Sequence, residues 1–499
     1  MFISTGQQNN APGGLATATD TIGHQTAARQ SSPLPWIEVV TGQSGFRTEH
    51  GQPWTPIGQN DAITWPELNG LFRRKDMATA ERYLAMLSQH GVTCLRLMLE
   101  YSENRRRYFE NPVSHFPPNM VQLWDDLFAL CEKHGIRILL TPFDTFWMWI
   151  KWERHPYNKL NGGLCDKRSR WLLCKDTRNA IKQRLAFATE RWGGSGALFA
   201  WDLWNEIHPA HAANSTEVFA DFVEDISSFL RGTELRLHGR AHPQTVSVFG
   251  PVLQSHPQSA ACIFRHPSLD FASTHFYESK TIDYPRNTVD AAISTGRLTA
   301  EALSEIKDGR PFFDSEHGPI HCFKDKLKTL PEPFDDEYFR LMQWAHFASG
   351  GAGGGMRWPN RHPHSLTAGM RLAQRGLARF LPLIDWQRFS RRCWNDQVNV
   401  SNKALAAFAC GDEQQAVVWL LRQDSIGKDG MLRRDVEPVS GCIHLPFEKQ
   451  GDYRLVAWDT TNGKALSTLE IRHDGGSHLC VPLPSIVVDI ALAVQAVRG

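Results

Sequence analysis

From about residue 55 to residue 385 the chain alternates short apolar runs with longer stretches whose apolar residues recur at three and four. Runs of the first kind read as strands buried on both faces, and stretches of the second kind as amphipathic helices. Eight strands are predicted in this way: 56–61, 94–101, 136–144, 198–206, 245–250, 270–277, 310–318 and 350–359. Helical patterns follow most of them, as in VQLWDDLFALCEKHG, which stops at Gly135. The link between strands five and six has the weakest helical pattern. Alternation of this kind requires a parallel sheet with right-handed crossovers, and eight repeats favour closure into a (β/α)8 TIM barrel over an open sheet.

The pattern changes near Ser390. Short β-type runs separated by Gly, Asp and Asn turns continue to the end, and TTNG between YRLVAWD and KALSTLEI reads as a hairpin turn. The expected organisation is a disordered lead-in over 1–34, an α/β catalytic barrel over 35–389 and an antiparallel β-sandwich over 390–499. The absence of a low-complexity linker implies a fixed interface between barrel and sandwich.

The formal net charge of +1 gives no electrostatic reason to expect nucleic acid or an anionic membrane as partner. No apolar run approaches the roughly 20 residues of a membrane span. A secretory leader is not visible, so the cytoplasm is the favoured location, with secretion or a periplasmic location the alternative; oligomeric state is open. The 10 cysteines form no CxxC pair, which argues against a zinc ribbon, and Cys165 and Cys174 would pair only in an oxidising compartment. With 17 Trp against 8 Tyr, the aromatic content is skewed. Trp147, Trp149 and Trp152 cluster in a predicted loop after strand three, where stacking platforms for a sugar would be useful.

Two strand ends carry the chemistry. FAWDLWNEI places Asn205 and Glu206 at the end of strand four, and PFFDSEHG places Glu316 at the end of strand seven. In a barrel of this kind the site lies at the C-terminal ends of the strands, so both glutamates face one bowl. Cleaving an acetal needs two carboxyl groups across one bond. GGAGGG (350–355) has dinucleotide-like spacing but precedes a strand, so it is not a phosphate cradle; its small residues are expected to let the barrel close around a bulky ligand. Neither His208 and His211 nor His362 and His364 have a metal-binding pattern, and neither cofactor nor metal is expected.

These residues resemble the retaining glycoside hydrolases of clan A, including glycoside hydrolase family 5. The resemblance rests on the ordered set Arg96, Asn205-Glu206, His275 and Tyr277 in THFYE, Glu316 and Trp358. It implies Glu206 as acid/base, Glu316 as nucleophile, Asn205 on the sugar 2-hydroxyl, Tyr277 bonded to Glu316 and His275 lining the subsite. Arg96 would pair with the nucleophile, and Trp358 would form a platform under the sugar. Strand three ends in TPFDTFW where many family 5 members carry a histidine; Asp144 there would either contact a sugar hydroxyl or cap the loop. The expected partner is a β-linked carbohydrate with an equatorial 2-hydroxyl, such as a glucan, galactan or mannan derivative, the mannose case departing from that 2-hydroxyl geometry. A non-catalytic carbohydrate-binding barrel and a transglycosylase are the alternatives. The basic residues of the loops after strands two and three, among them Arg105, Arg106, Arg107, Lys151, Arg154, Lys167, Arg168 and Arg170, read as solvating charge or, alternatively, as favouring an acidic or decorated sugar.

Overall fold

The structure is a computed structural model that describes residues 33–100, 107–320 and 329–497. The lead-in lies almost wholly outside the described residues, as do Arg105, Arg106 and the lysine-bearing stretch 321–328.

Eight strands form one parallel sheet: β1 (Gly58–Asp61), β2 (Cys94–Met98), β3 (Arg137–Thr141), β4 (Leu198–Asp202), β5 (Gln244–Thr245), β6 (Ala272–Phe276), β7 (Phe312–His317) and β8 (Met356–Arg357). Their order is β5-β4-β3-β2-β1-β8-β7-β6. The ends of that order meet through Asp270 N–H to Gln244 O and His275 N–H to Val248 O, both 2.9 Å, which closes the barrel. Every residue of these strands is buried, as continuous apolar runs require when helices cover the outer face.

The crossovers hold the predicted helices, among them Met77–Gln89, Pro118–His134, Lys175–Trp192, Thr216–His238 and Thr288–Glu305. Gly135 ends the second of these with φ of 70°, a left-handed C-cap that only glycine takes without strain. Between β5 and β6 the chain instead makes three short turns, Gly250–Ser255, Pro257–Ser259 and Ala260–Phe264. Pro257 cannot donate within a helix, which explains the weak pattern there.

Residues 35–54 were not read as structure in the sequence, yet they plug the barrel's N-terminal end. Three short antiparallel strands, Ile37–Val39, Phe46–Thr48 and Pro53–Trp54, carry Phe46 under the barrel axis. The Phe46 ring stands edge-on to Phe199 at 4.9 Å, Phe271 at 5.4 Å and Phe313 at 6.2 Å. The glycine stretch belongs to this end as well, which corrects the expectation that it surrounds a ligand. A Cβ on Gly353 (φ 125°) would sit 2.2 Å from the Pro56 carbonyl, so the small residues serve tight backbone packing before β8.

After residue 390 come nine antiparallel strands in two sheets. The larger holds β9 (Arg392–Cys393), β11 (Leu405–Gly411), β12 (Gln415–Arg422), β17 (Asp489–Ala496), β14 (Gly451–Asp459) and β15 (Lys464–His473), in that order. The smaller holds β10 (Asn399–Val400), β13 (Val439–Leu445) and β16 (Leu479–Ile486). Val418, Leu455, Ile443 and Val481 pack between them. The expected TTNG hairpin turn joins β14 to β15, with Asp459 accepting from the N–H groups of Thr461 and Asn462. The outer face of the larger sheet lies on the barrel helices Glu332–Ala348 and Ala368–Phe380, where Trp344, Phe347 and Phe380 share one cluster with Phe408, Trp419 and Trp458. Arg340 crosses this seam to Asp489 at 2.6 Å.

Candidate active site

The C-terminal mouth of the barrel holds a cavity of about 320 Å³. Glu206, Glu316, Asn205, Asp144, Tyr277, Trp147 and Trp358 all line it. Arg96 and His275 do not: both are buried beneath the floor, so His275 supports the site without lining it as expected. A larger cavity of about 520 Å³ lies at the opposite end, around Phe46 and Trp386, but none of its described lining residues is Asp or Glu.

Backbone irregularity aims both glutamates. β4 ends at Asp202, and after a bend at Trp204, Asn205 makes an isolated parallel bridge to Asp144, its N–H donating to Phe143 O. Glu206 then takes φ of 50°. A non-glycine residue pays about 1–2 kcal/mol for that left-handed conformation. On β7 the register against β6 slips between Asp314 and Glu316, a bulge that sets Glu316 opposite His275. Strict alternation from Phe313 would turn Ser315 and His317 inward; the bulge turns Glu316 inward in place of His317, which faces the helix layer beside Phe339. Asp314 holds the bulge, accepting from the N–H groups of Phe276 and Glu316, both 3.1 Å, and pairing with His317 Nδ1 at 2.7 Å.

The result brings a carboxylate oxygen of Glu206, one of Glu316 and a ring nitrogen of His275 within 4.8 Å of one another. Tyr277 Oη donates to Glu316 Oε1 at 2.7 Å, and Arg96 Nη1 to Glu316 Oε2 at 3.0 Å. Arg96 also donates to Asp202 Oδ2 at 2.7 Å, to Asn60 Oδ1 at 2.9 Å and to Asn205 Oδ1. Thus one guanidinium organises β1, β2, β4 and β7. Asp202 is itself fixed by the Ser247 N–H and hydroxyl, both 2.9 Å.

Among the described residues, the Glu206 carboxylate is hydrogen-bonded to His275 Nδ1 at 2.9 Å. Burial lowers His275 to about 4, so its ring is neutral at pH 7. Burial lifts the Glu206 carboxyl to about 7, with Arg96 opposing and Asp202 adding. Burial raises Glu316 too, and the Glu206 charge adds to it, while Arg96 and Tyr277 favour its anion. Glu316 thus has two strong donors, Arg96 and Tyr277, while the neutral His275 ring is the partner of Glu206. The same trio has the atom types of a metal site, but the Arg96 guanidinium on Glu316 opposes a cation there.

Asp144 caps the chain that follows it while also lining the cavity. It accepts from Phe146 N–H at 3.0 Å and Trp147 N–H at 3.1 Å, capping the helix Thr145–Lys151. It also accepts from Asn205 Nδ2 at 2.6 Å, so Asn205 is held from both ends of its amide with one N–H left over. Burial lifts Asp144 to about 7. The tryptophan cluster expected in a loop therefore sits on a capped helix and a following turn. Trp147 faces the cavity, Trp149 lies under Arg168 at 4.4 Å, and Trp152 packs edge-on to Trp171 in the core. Trp358 stands edge-on to Trp65 at 5.3 Å. Cys165 and Cys174 are free thiols, each directed at a backbone carbonyl.

Sequence reading missed Asp202, Asn60, Ser247 and Asp314. Asp202 left a signal, a charge inside the apolar run FAWDL; the others left none, since buried polar residues of that size are common in strands.

No family model matches the chain. Over 216 residues it is 24% identical to proteins described as probable mannan endo-1,4-beta-mannosidase F from Aspergillus flavus and from Aspergillus oryzae. The match takes in 42% of this chain and 44% of each relative, so the chain spans under half the length of these curated proteins. Among solved structures, one described as a glycoside hydrolase aligns over 93% of this chain and 99% of its own, with a TM-score of 0.56 at 13% identity. A glycoside hydrolase family 5 structure from Bacteroides vulgatus ATCC 8482 covers 93% of this chain and 94% of its own, with a TM-score of 0.56 at 12% identity. The barrel followed by a β-sandwich is thus a fold found in solved glycoside hydrolases.

Proposed function

We propose that the protein is a retaining β-glycosidase, with Glu316 as nucleophile and Glu206 as acid/base, and that β-mannosides are its substrate class. The observation that carries the reading is that one carboxylate oxygen of Glu206 and one of Glu316 lie within 4.8 Å of each other. Retaining pairs stand about 5–5.5 Å apart, whereas inverting pairs leave about 6.5–9.5 Å for a water between them. Glu316 attacks the anomeric carbon as an anion while Glu206 gives its proton to the departing oxygen. Glu206, now ionised, takes a proton from water, which attacks the same carbon and releases Glu316. Arg96 and Tyr277 oppose protonation of Glu316, and Met98, Trp147 and Trp358 add apolar surface to the cavity that Glu206 lines. Asn205 is positioned to donate to the sugar 2-hydroxyl, where a bond that strengthens in the transition state accelerates the step.

The mannoside preference is supported by the curated relatives, whose description names mannan. Turnover of a panel of aryl β-mannosides, β-glucosides and β-galactosides is the test, with Glu206→Ala and Glu316→Ala alongside. The expected result is fastest hydrolysis of the mannoside and loss of turnover in both variants. Full turnover in either variant overturns the catalytic assignment, and preference for another sugar overturns the substrate class alone. Binding of mannan oligosaccharides without turnover would leave a carbohydrate-binding barrel.

A further inference from the structure

The smaller sheet of the sandwich carries a cluster that the proposed hydrolysis does not use. β13 and β16 bury Ile443, Leu445, Leu479, Val481 and Leu483 toward the core, and the alternate residues face out. On that outer face Cys442 and His444 are half-buried and Cys480 is exposed. Antiparallel register sets Cys480 directly opposite His444, and Pro482 opposite Cys442. Two thiols and one imidazole therefore converge from adjacent strands, with their ligand-type atoms within 4.8 Å of one another.

We propose that Cys442, His444 and Cys480 form a binding site for a thiophilic divalent cation of the zinc class, clipping β13 to β16. Zinc binds thiolate sulfur at about 2.3 Å and imidazole nitrogen at about 2.0–2.1 Å in tetrahedral geometry, which puts neighbouring sulfur and nitrogen ligands about 3.6 Å apart. Cys442 Sγ and His444 Nε2 stand 3.7 Å apart, so this pair needs almost no movement to close on an ion. Soft thiolates with an imidazole select such a cation over magnesium or calcium, which take oxygen ligands. The register also argues against the competing use of the two thiols. Cys442 and Cys480 are diagonal neighbours, and diagonal positions lie about 7–8 Å apart at Cα, beyond ordinary disulfide reach. The fourth coordination position faces solvent and is left to water.

Cobalt(II) titrated into the chelator-treated full chain tests the site. One equivalent is expected to produce a near-ultraviolet thiolate-to-metal charge-transfer band that zinc then bleaches. Glu206, His275 and Glu316 hold no sulfur and cannot give that band. Cys480→Ser and His444→Asn are each expected to abolish it while leaving the far-ultraviolet circular dichroism unchanged. In the unmutated chain, zinc is expected to protect Cys442 and Cys480 from iodoacetamide, as mapped by peptide mass. Absence of the band, its survival in Cys480→Ser, alkylation of both thiols at saturating zinc, or a Cys442–Cys480 disulfide formed in zinc's presence would each overturn the proposal.

Discussion

At the N-terminal end of the barrel, Phe199, Phe271 and Phe313 turn inward onto Phe46; at the other end the same three strand segments lead to Glu206, His275 and Glu316. The lower layer is apolar and packed ring to edge. The upper layer buries Glu316, Asp202 and Arg96 and half-buries Glu206, and it contains a left-handed Glu206 and a bulge at Glu316. Packing stabilises the first layer, while in the second the hydrogen bonds of Arg96 offset desolvation without removing it. Stability and chemistry are thereby assigned to opposite ends of one barrel, the division that the fold's geometry favours.

Substitutions at the two ends should separate accordingly. Glu316→Ala is expected to lower kcat by on the order of 10⁴-fold or more, as loss of a nucleophile does, without lowering the thermal midpoint. Glu206→Ala is expected to cost about 10²–10⁴-fold, less for aryl glycosides whose leaving group needs no proton, as steady-state kinetics would read. Phe46→Ala, at the opposite end, is expected to destabilise by about 3–5 kcal/mol in urea unfolding while leaving kcat per folded molecule unchanged. A fall in kcat with unchanged stability would break the division. Tyr277→Phe removes one donor to the Glu316 anion and is expected to cost about 10- to 100-fold. Because Tyr277 lowers the Glu316 pKa, its loss should move the acidic limb of the kcat/KM profile to higher pH. The basic limb, set by deprotonation of Glu206, is expected near pH 7 in both proteins.

The barrel was legible because each crossover leaves a periodic helix after a continuous apolar run. The two glutamates were legible as carboxylates at the ends of such runs. What aims them was not. Counting inward positions by twos from Phe313 gives Ser315 and His317, and only the backbone slip at Ser315 turns Glu316 into the bowl. Likewise, the φ of Glu206 leaves no mark on composition or spacing. Strands of two or three residues, as in the plug around Phe46, are too short for a period to register. The helix Thr145–Lys151 was hidden for a related reason: seven residues rich in tryptophan show no clean stripe, although Asp144 before them is an N-cap residue. Asn205 illustrates the other limit. Its place before Glu206 was readable, but its clamp between Asp144 and Arg96 joins β2, β3 and β4 and exists only after closure.

The pairing of Glu206 with Glu316 over one anomeric carbon is tested most directly by proton NMR of an aryl β-mannoside during the first minutes of turnover, before mutarotation. Two successive displacements at that carbon return the β-anomer, and the account requires the β-anomer to appear first. First appearance of the α-anomer would mean a single displacement by water and would contradict it.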